Sequence, residues 1–99
     1  MKQIINGKMY NTETACEIMT NDFFDEWKSS AHICETLYKK ENGEFFLCRD
    51  MFGDGDAIDE YYWVLKHRME PLTEERAKMW VEKYGEVETY IALFGEPEE

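Results

Sequence analysis

Residues 34–49 read CETLYKKENGEFFLCR and predict a β-hairpin. Two stretches that contain aromatic and other strand-forming side chains flank Asn42-Gly43, and Asn-Gly supplies the two positive φ angles of a type I′ turn. With this dipeptide as a two-residue loop, Leu37 lies opposite Cys48. The hairpin places two antiparallel strands in the middle of the chain, and the remaining elements are assigned around it.

A second Asn-Gly pair predicts another hairpin at the start of the chain. Residues 2–5 and 8–10 flank Asn6-Gly7, and the twist of a type I′ turn matches the twist of such strands. Farther along, residues 61–69 read YYWVLKHRM and favour a strand, because aromatic and β-branched residues are common in strands. A helix remains an alternative for that segment, since its apolar residues also recur at helical spacing.

The sequence also predicts three helices. Thr14 and Glu17 have the spacing of a capping box, which favours a short helix over residues 12–20. Whether residues 22–33 continue that helix or form a loop stays open. Thr73 is a good N-cap for a second helix, which ends at Gly85.

The last helix follows at once. Its apolar residues Val87, Ile91 and Phe94 fall on one face, and Gly95 ends it. The predicted order is therefore β-β-α-β-β-β-α-α. This order indicates an α+β fold, with an antiparallel sheet built from the two Asn-Gly hairpins plus a further strand and with helices to one side. A chain of 99 residues makes a single domain, 1–99.

Negative charge dominates the composition and excludes several functions. The formal net charge is -11, and residues 51–99 hold thirteen acids against five bases. Such a chain repels nucleic acid and anionic membranes and is attracted to basic surfaces. It has no apolar run long enough to span a membrane and no signal-peptide pattern, and its three cysteines are scattered. We therefore expect a protein of the cytoplasm.

Metal binding and catalysis find little support in the residues. The acids within residues 50–60 suggest a calcium loop, but the required ligand positions hold Phe52 and Tyr61. A paired Cys-x₂₋₄-Cys zinc signature is absent. Cys34 or Cys48 could pair with a histidine, yet no nucleophile elbow, P-loop or dinucleotide motif accompanies them. We expect a non-enzymatic protein that uses no cofactor and no metal.

Four acids are left without a structural role. Helix N-termini account for the glutamates near residues 74 and 86, whereas Asp54, Asp56, Asp59 and Glu60 lie in a predicted loop. We expect these four carboxylates to bind a protein partner with a basic surface, because a carboxylate cluster presents a field similar to that of phosphates. The alternative is that the acids only keep the domain soluble.

Three stretches of the chain resemble a family of short proteins from phages and mobile elements of Firmicutes. They are residues 2–15 (KQIINGKMYNTETA), 35–47 (ETLYKKENGEFFL) and 71–80 (PLTEERAKMW). Some members of this family resemble anti-CRISPR proteins. Members often carry a Gly-Gly-rich loop after the second hairpin, where this chain has Gly-Asp-Gly-Asp at 53–56.

The resemblance implies an anti-CRISPR inhibitor that acts in the cytoplasm of a bacterial host cell. Its acidic surface would occupy a basic nucleic-acid-binding surface of a Cas effector, without contacting nucleic acid itself. The alternative is a small structural or accessory module of a phage or plasmid complex, whose acidity serves solubility.

Overall fold

The computed structural model describes residues 1–24, 32–52 and 69–98. Within them the chain forms six strands followed by two helices. The strands are β1 (Lys2–Ile5), β2 (Lys8–Asn11), β3 (Cys16–Phe24), β4 (His32–Lys39), β5 (Phe45–Phe52) and β6 (Met69–Leu72), and the helices are α1 (Glu74–Tyr84) and α2 (Val87–Phe94).

The described elements form an antiparallel α+β fold, which confirms the predicted fold class. Strands β3, β4, β5 and β6 form one four-stranded sheet in that order. The two Asn-Gly hairpins do not share a sheet, however, because β1 and β2 make a separate two-stranded sheet. The second hairpin, β4–β5, forms the centre of the larger sheet.

Each face of the four-stranded sheet is covered by a different element. Successive residues of a strand point to opposite faces, so Leu47 and Phe46 on β5 belong to two different hydrophobic clusters, one on each face of the sheet. On one face, which we call the helix face, buried residues from the sheet and from α1 pack together: Leu37, Phe45, Leu47, Ala77, Trp80 and Val81. Burial of these side chains is the main force that fixes α1 on the sheet.

The opposite face, which we call the hairpin face, is covered by β1 and β2. Ile5 and Tyr10 pack there against Phe46, Cys48 and Met69 of the large sheet. The ring of Tyr10 meets that of Phe46 edge-on, with their centroids 5.4 Å apart. The first hairpin is therefore held by its own buried cluster and does not extend the sheet.

The two hairpin turns differ in length. Ile5 pairs with Lys8, and Asn6 and Gly7 have φ angles of 52° and 77°, so the predicted two-residue turn is confirmed. In the second hairpin, Lys39 pairs with Phe45.

The prediction for the second turn is wrong by one residue. The N–H of Lys40 donates to the Glu44 carbonyl at 2.8 Å, which encloses a three-residue loop. Gly43 alone takes a positive φ in that loop, at 93°. A three-residue loop with a left-handed glycine shifts the strand register by one. Leu37 consequently lies opposite Leu47 and not Cys48, which places both leucines on the helix face.

The predicted helix over residues 12–20 is also wrong. From Cys16 onward this segment is strand β3, paired antiparallel with β4. The polar residues before this strand form a turn, in which Asn11 Oδ1 accepts a hydrogen bond from the Glu13 N–H at 2.9 Å. A β-bulge shifts the strand register between Glu17 and Met19. The neighbouring residues Ile18 and Met19 therefore both pack against the helix-face cluster, and two adjacent apolar residues fit a helical pattern better than the alternation of a regular strand.

Other predictions lie partly outside the described residues. Of the undecided segment 22–33, residues 22–24 belong to β3 and 32–33 to β4. The predicted loop 50–60 begins too early, because β5 continues to Phe52 and pairs with β4 to that point. Of the predicted strand 61–69, only Met69 is described, as the first residue of β6.

The predicted helix ends are confirmed. Thr73 Oγ1 accepts a hydrogen bond from the Arg76 N–H at 3.1 Å and caps α1, which ends before Gly85. Gly85 has a φ of -96°, so its role is steric: an added Cβ would lie 2.8 Å from the Val81 carbonyl oxygen and 3.0 Å from Met19 Sδ. Gly85 therefore allows the end of α1 to approach β3.

Candidate functional site

The four acids that the sequence assigns to partner binding lie outside the described residues. Asp54, Asp56, Asp59 and Glu60 all fall between β5 and β6. Their role as partner-binding carboxylates stays a prediction. The described residues offer a different acidic surface, on the two helices.

Helix α2 exposes part of its apolar surface. The sequence groups Val87, Ile91 and Phe94 on one face, but the residues that pack against the helix-face cluster are Tyr90, Leu93 and Phe94. Val87 is 68% exposed and Ile91 is 36% exposed. The packed stripe is thus rotated around the helix, and these two side chains lie on its solvent-exposed border.

A groove separates the end of α1 from α2. It encloses about 200 Å³, and we call it the α1–α2 groove. Its lining combines apolar side chains with two carboxylates: Val81, Glu82, Gly85, Glu86, Val87, Tyr90, Ile91 and Pro97. An apolar groove with an acidic rim suits a ligand that is apolar and basic at once.

The two glutamates of this groove, Glu82 and Glu86, belong to a larger set of exposed acids on the helices and the segment after them. Residues 74–98 contain seven glutamates, all of them exposed: Glu74, Glu75, Glu82, Glu86, Glu88, Glu96 and Glu98. No salt bridge joins any of them to another residue in the part of the chain that the structure describes. Their carboxylates are therefore available to an external cation without the loss of an internal ion pair.

The three basic residues of the same segment point elsewhere. Arg76 Nη1 lies 3.8 Å from Glu70 Oε1, at the sheet end of α1. Lys78 Nζ lies 5.6 Å from the centre of the Phe94 ring, and Lys83 Nζ lies 5.1 Å from that of Tyr84. These contacts leave the carboxylates around the groove without a neutralising partner.

A second charged cluster lies partly buried between the sheet and α1. Arg49 Nε donates to Glu35 Oε2 at 2.7 Å and Arg49 Nη2 donates to Glu70 Oε2 at 2.5 Å. Burial alone would lower the pKa of Arg49, but the two carboxylates raise it above its ordinary value. Trp80 Nε1 donates to Glu35 Oε1 at 3.5 Å. This cluster ties strands β4, β5 and β6 to α1 and has a structural role.

The surroundings of Cys34 do not activate its thiol as a nucleophile. None of the three cysteines, which all lie in the described ranges, forms a disulfide: Cys16 is exposed, Cys34 half-buried and Cys48 buried. Burial and the carboxylates of Asp22 and Asp50 raise the pKa of the Cys34 thiol to about 11, so it stays protonated at neutral pH. Among the described residues, no group of three His, Cys, Asp or Glu side chains could hold a metal ion.

None of the helices in the described ranges is both long enough and apolar enough to cross a membrane.

The comparisons with known proteins are negative. No protein-family model, no curated protein and no solved structure matches this chain.

Proposed function

We propose that this protein is a non-enzymatic binding module that docks its α1–α2 groove against a basic and partly apolar surface of another protein. One observation carries the proposal: the exposed apolar side chains Val87 and Ile91 lie in a groove whose glutamates have no ion-pair partner among the described residues. Exposed apolar side chains in such a setting are typical of protein interfaces.

The two parts of the surface would contribute differently. Burial of the Val87 and Ile91 side chains supplies affinity, at about 25 cal/mol for each Å² of apolar surface removed from water. The carboxylates of Glu82 and Glu86 supply attraction over a longer range, which speeds association and rejects acidic surfaces. Because this attraction is screened by salt, binding should weaken as ionic strength rises.

The concrete form of the proposal follows from the family resemblance. The partner would be a Cas effector, and the occupied surface would be a basic channel that otherwise holds nucleic acid. Glutamates around the groove would compete there with phosphates. The loop acids Asp54, Asp56, Asp59 and Glu60 would supply further carboxylates for the same partner. The protein would act in the cytoplasm of a bacterial host cell.

A binding titration tests the proposal directly. The fluorescently labelled protein is titrated with a purified Firmicutes Cas effector lacking guide RNA, and anisotropy is recorded at about 50 mM and about 300 mM NaCl. The wild type is expected to bind, with a Kd that rises about tenfold between the two salt concentrations. Absence of binding at low salt would contradict the proposal.

Matched variants locate the surface. The triple variant Glu82→Gln/Glu86→Gln/Glu88→Gln should weaken binding about tenfold, and Val87→Ser/Ile91→Ser should do the same at either salt concentration. The control Glu13→Gln/Glu74→Gln/Glu75→Gln changes the net charge equally at exposed positions that do not line the groove. Equal losses in both triple variants would show that net charge, and not the groove, determines binding.

A separate variant tests the loop. Replacing Asp54, Asp56 and Asp59 by Asn and Glu60 by Gln should weaken binding while leaving the thermal midpoint nearly unchanged.

Binding that depends on Val87 and Ile91 but not on salt would instead identify the alternative, an accessory module whose acids serve solubility.

A further inference from the structure

Within the described residues, strand β3 leaves one long edge of the sheet open. It is the first strand in the sheet order, has nine residues, and pairs only with β4 among the described elements. The opposite edge is β6, which has four residues and contains Pro71. A short edge that contains proline is protected against further pairing, whereas β3 has neither feature.

Most of β3 has regular backbone geometry. After the bulge, residues from Met19 to Phe24 pair with β4 without interruption, from Leu37 to His32. In a regular antiparallel strand, alternate residues direct their N–H and C=O groups away from the paired neighbour. Six regular residues span about 20 Å, which is the length of an ordinary strand. This edge is therefore long enough to pair with one more strand.

Charge determines which strand would pair there. Between Met9 and Phe24 the chain has three acids and no lysine or arginine. Glu17 and Asp22 both lie in β3, opposite Tyr38 and Cys34, and so belong to the hairpin face. A strand that adds to β3 should place basic side chains on that face, since like charges across strands are destabilising. The same repulsion disfavours a second copy of this chain.

On the helix face, β3 adjoins the α1–α2 groove. The Met19 sulfur lies against Gly85, at 3.0 Å from the position that a Cβ would take. Gly85 in turn lines the groove together with Val81 and Val87. The open edge and the groove are thus parts of one continuous surface. A strand on β3 would direct its apolar side chains toward this side.

We infer that the partner contributes a β-strand that adds to the open edge of β3. Basic side chains on one face of that strand would meet Glu17 and Asp22, and apolar side chains on its other face would lie beside the α1–α2 groove. This inference rests on the proposed function and specifies the mode of recognition, which is strand addition by an amphipathic basic segment.

Amide exchange with a synthetic peptide tests the inference. The probe is a nine-residue peptide of alternating lysine and valine, matched to β3 in length. NMR hydrogen exchange should show about tenfold protection of alternate β3 amides when the peptide is added, and Glu17→Gln should reduce the effect. A glutamate–valine peptide and an N-methylated lysine–valine peptide are the controls. No protection, or equal protection by a control peptide, would overturn the inference.

Proline variants test strand addition in the full protein. N–H groups alternate along a strand, so one of Thr20 and Asn21 donates to β4 and the other points outward. Of Thr20→Pro and Asn21→Pro, the variant that keeps the wild-type thermal midpoint marks the outward position. That variant should weaken binding of the Cas effector about tenfold.

The outcomes separate the inference from the proposed function. Unchanged effector binding by the outward proline variant would overturn strand addition and leave the groove proposal intact. If the wild type does not bind the effector, the proposed function fails, and the lysine–valine peptide still decides whether β3 accepts a strand. Protection of β3 that appears without peptide and rises with protein concentration would show that a second copy occupies the edge, which also overturns the inference.

Discussion

Arg49 and Glu35 face each other across β5 and β4, with Arg49 Nε 2.7 Å from Glu35 Oε2. The Glu35 side chain is 8% exposed and that of Arg49 is 19% exposed. The carboxylate also accepts the indole N–H of Trp80, from the helix above. An ionised carboxylate in this position depends on the guanidinium for its solvation, so this pair couples the strands to α1.

Replacement of Arg49 by methionine should destabilise the protein by about 3 kcal/mol, because Glu35 would remain buried without its cation. Urea unfolding measures the change in the free energy of unfolding. Arg76→Met is the control: this side chain is 71% exposed and 3.8 Å from Glu70, so its loss should cost about 0.5 kcal/mol or less. Equal effects of the two substitutions would contradict a structural role for the buried pair.

Loss of the α1 cap should also reduce stability. Thr73→Ala removes the oxygen that accepts the Arg76 N–H, at a cost of about 1 kcal/mol. Thr73→Ser keeps the hydroxyl and should restore most of that loss in urea unfolding. If serine and alanine were equivalent here, the hydroxyl would not be stabilising the start of the helix.

Gly85→Ala should cost about 2 kcal/mol, because the new methyl group would press on the Val81 carbonyl and on Met19. Substitutions at Gly7 and Gly85 distinguish steric crowding from backbone strain as the cause of this loss. Gly7 has a φ of 77° and open space around it, so Gly7→Asn should cost less than Gly7→Ala. At Gly85 asparagine should be no better than alanine in the same unfolding assay. A recovery with asparagine there would indicate backbone strain and not crowding.

Features set by local chemistry could be predicted from the sequence. The turn at Asn6-Gly7 depends on two φ angles, and the cap at Thr73 depends on one hydroxyl three residues from its donor. Each of these two features depends only on residues that are close together in the sequence. The α+β class follows from the same local signals, because hairpins enforce antiparallel pairing.

Features that depend on distant partners could not be predicted in this way. Residues 16–24 form a strand because they pair with β4, and this pairing overrides the capping-box spacing of Thr14 and Glu17. The α1–α2 groove cannot be predicted from the sequence for a related reason. The helical spacing of Val87 and Ile91 indicates a shared face, but only packing against the sheet decides which face is buried.

The last prediction concerns the stability of the protein at alkaline pH. Cys34 lies on the hairpin face in register with Asp22 on one side and Asp50 on the other. Burial, followed by a hydrogen bond to Asp22, raises the pKa of its thiol from 9.0 to about 11. Burial also raises the pKa of Tyr38, four residues farther along β4.

A raised pKa means that the folded protein retains a proton that the unfolded chain has already lost. The contribution of Cys34 to stability is therefore complete below about pH 9 and is lost as the pH rises to about 11. Urea unfolding under reducing conditions at about pH 8 and about pH 10.5 should show this decrease. Cys34→Ala should make the decrease smaller without abolishing it, since Tyr38 still contributes with the same sign. Cys16→Ala, at an exposed position, should keep the wild-type decrease, and an identical decrease in Cys34→Ala would refute the assignment to Cys34.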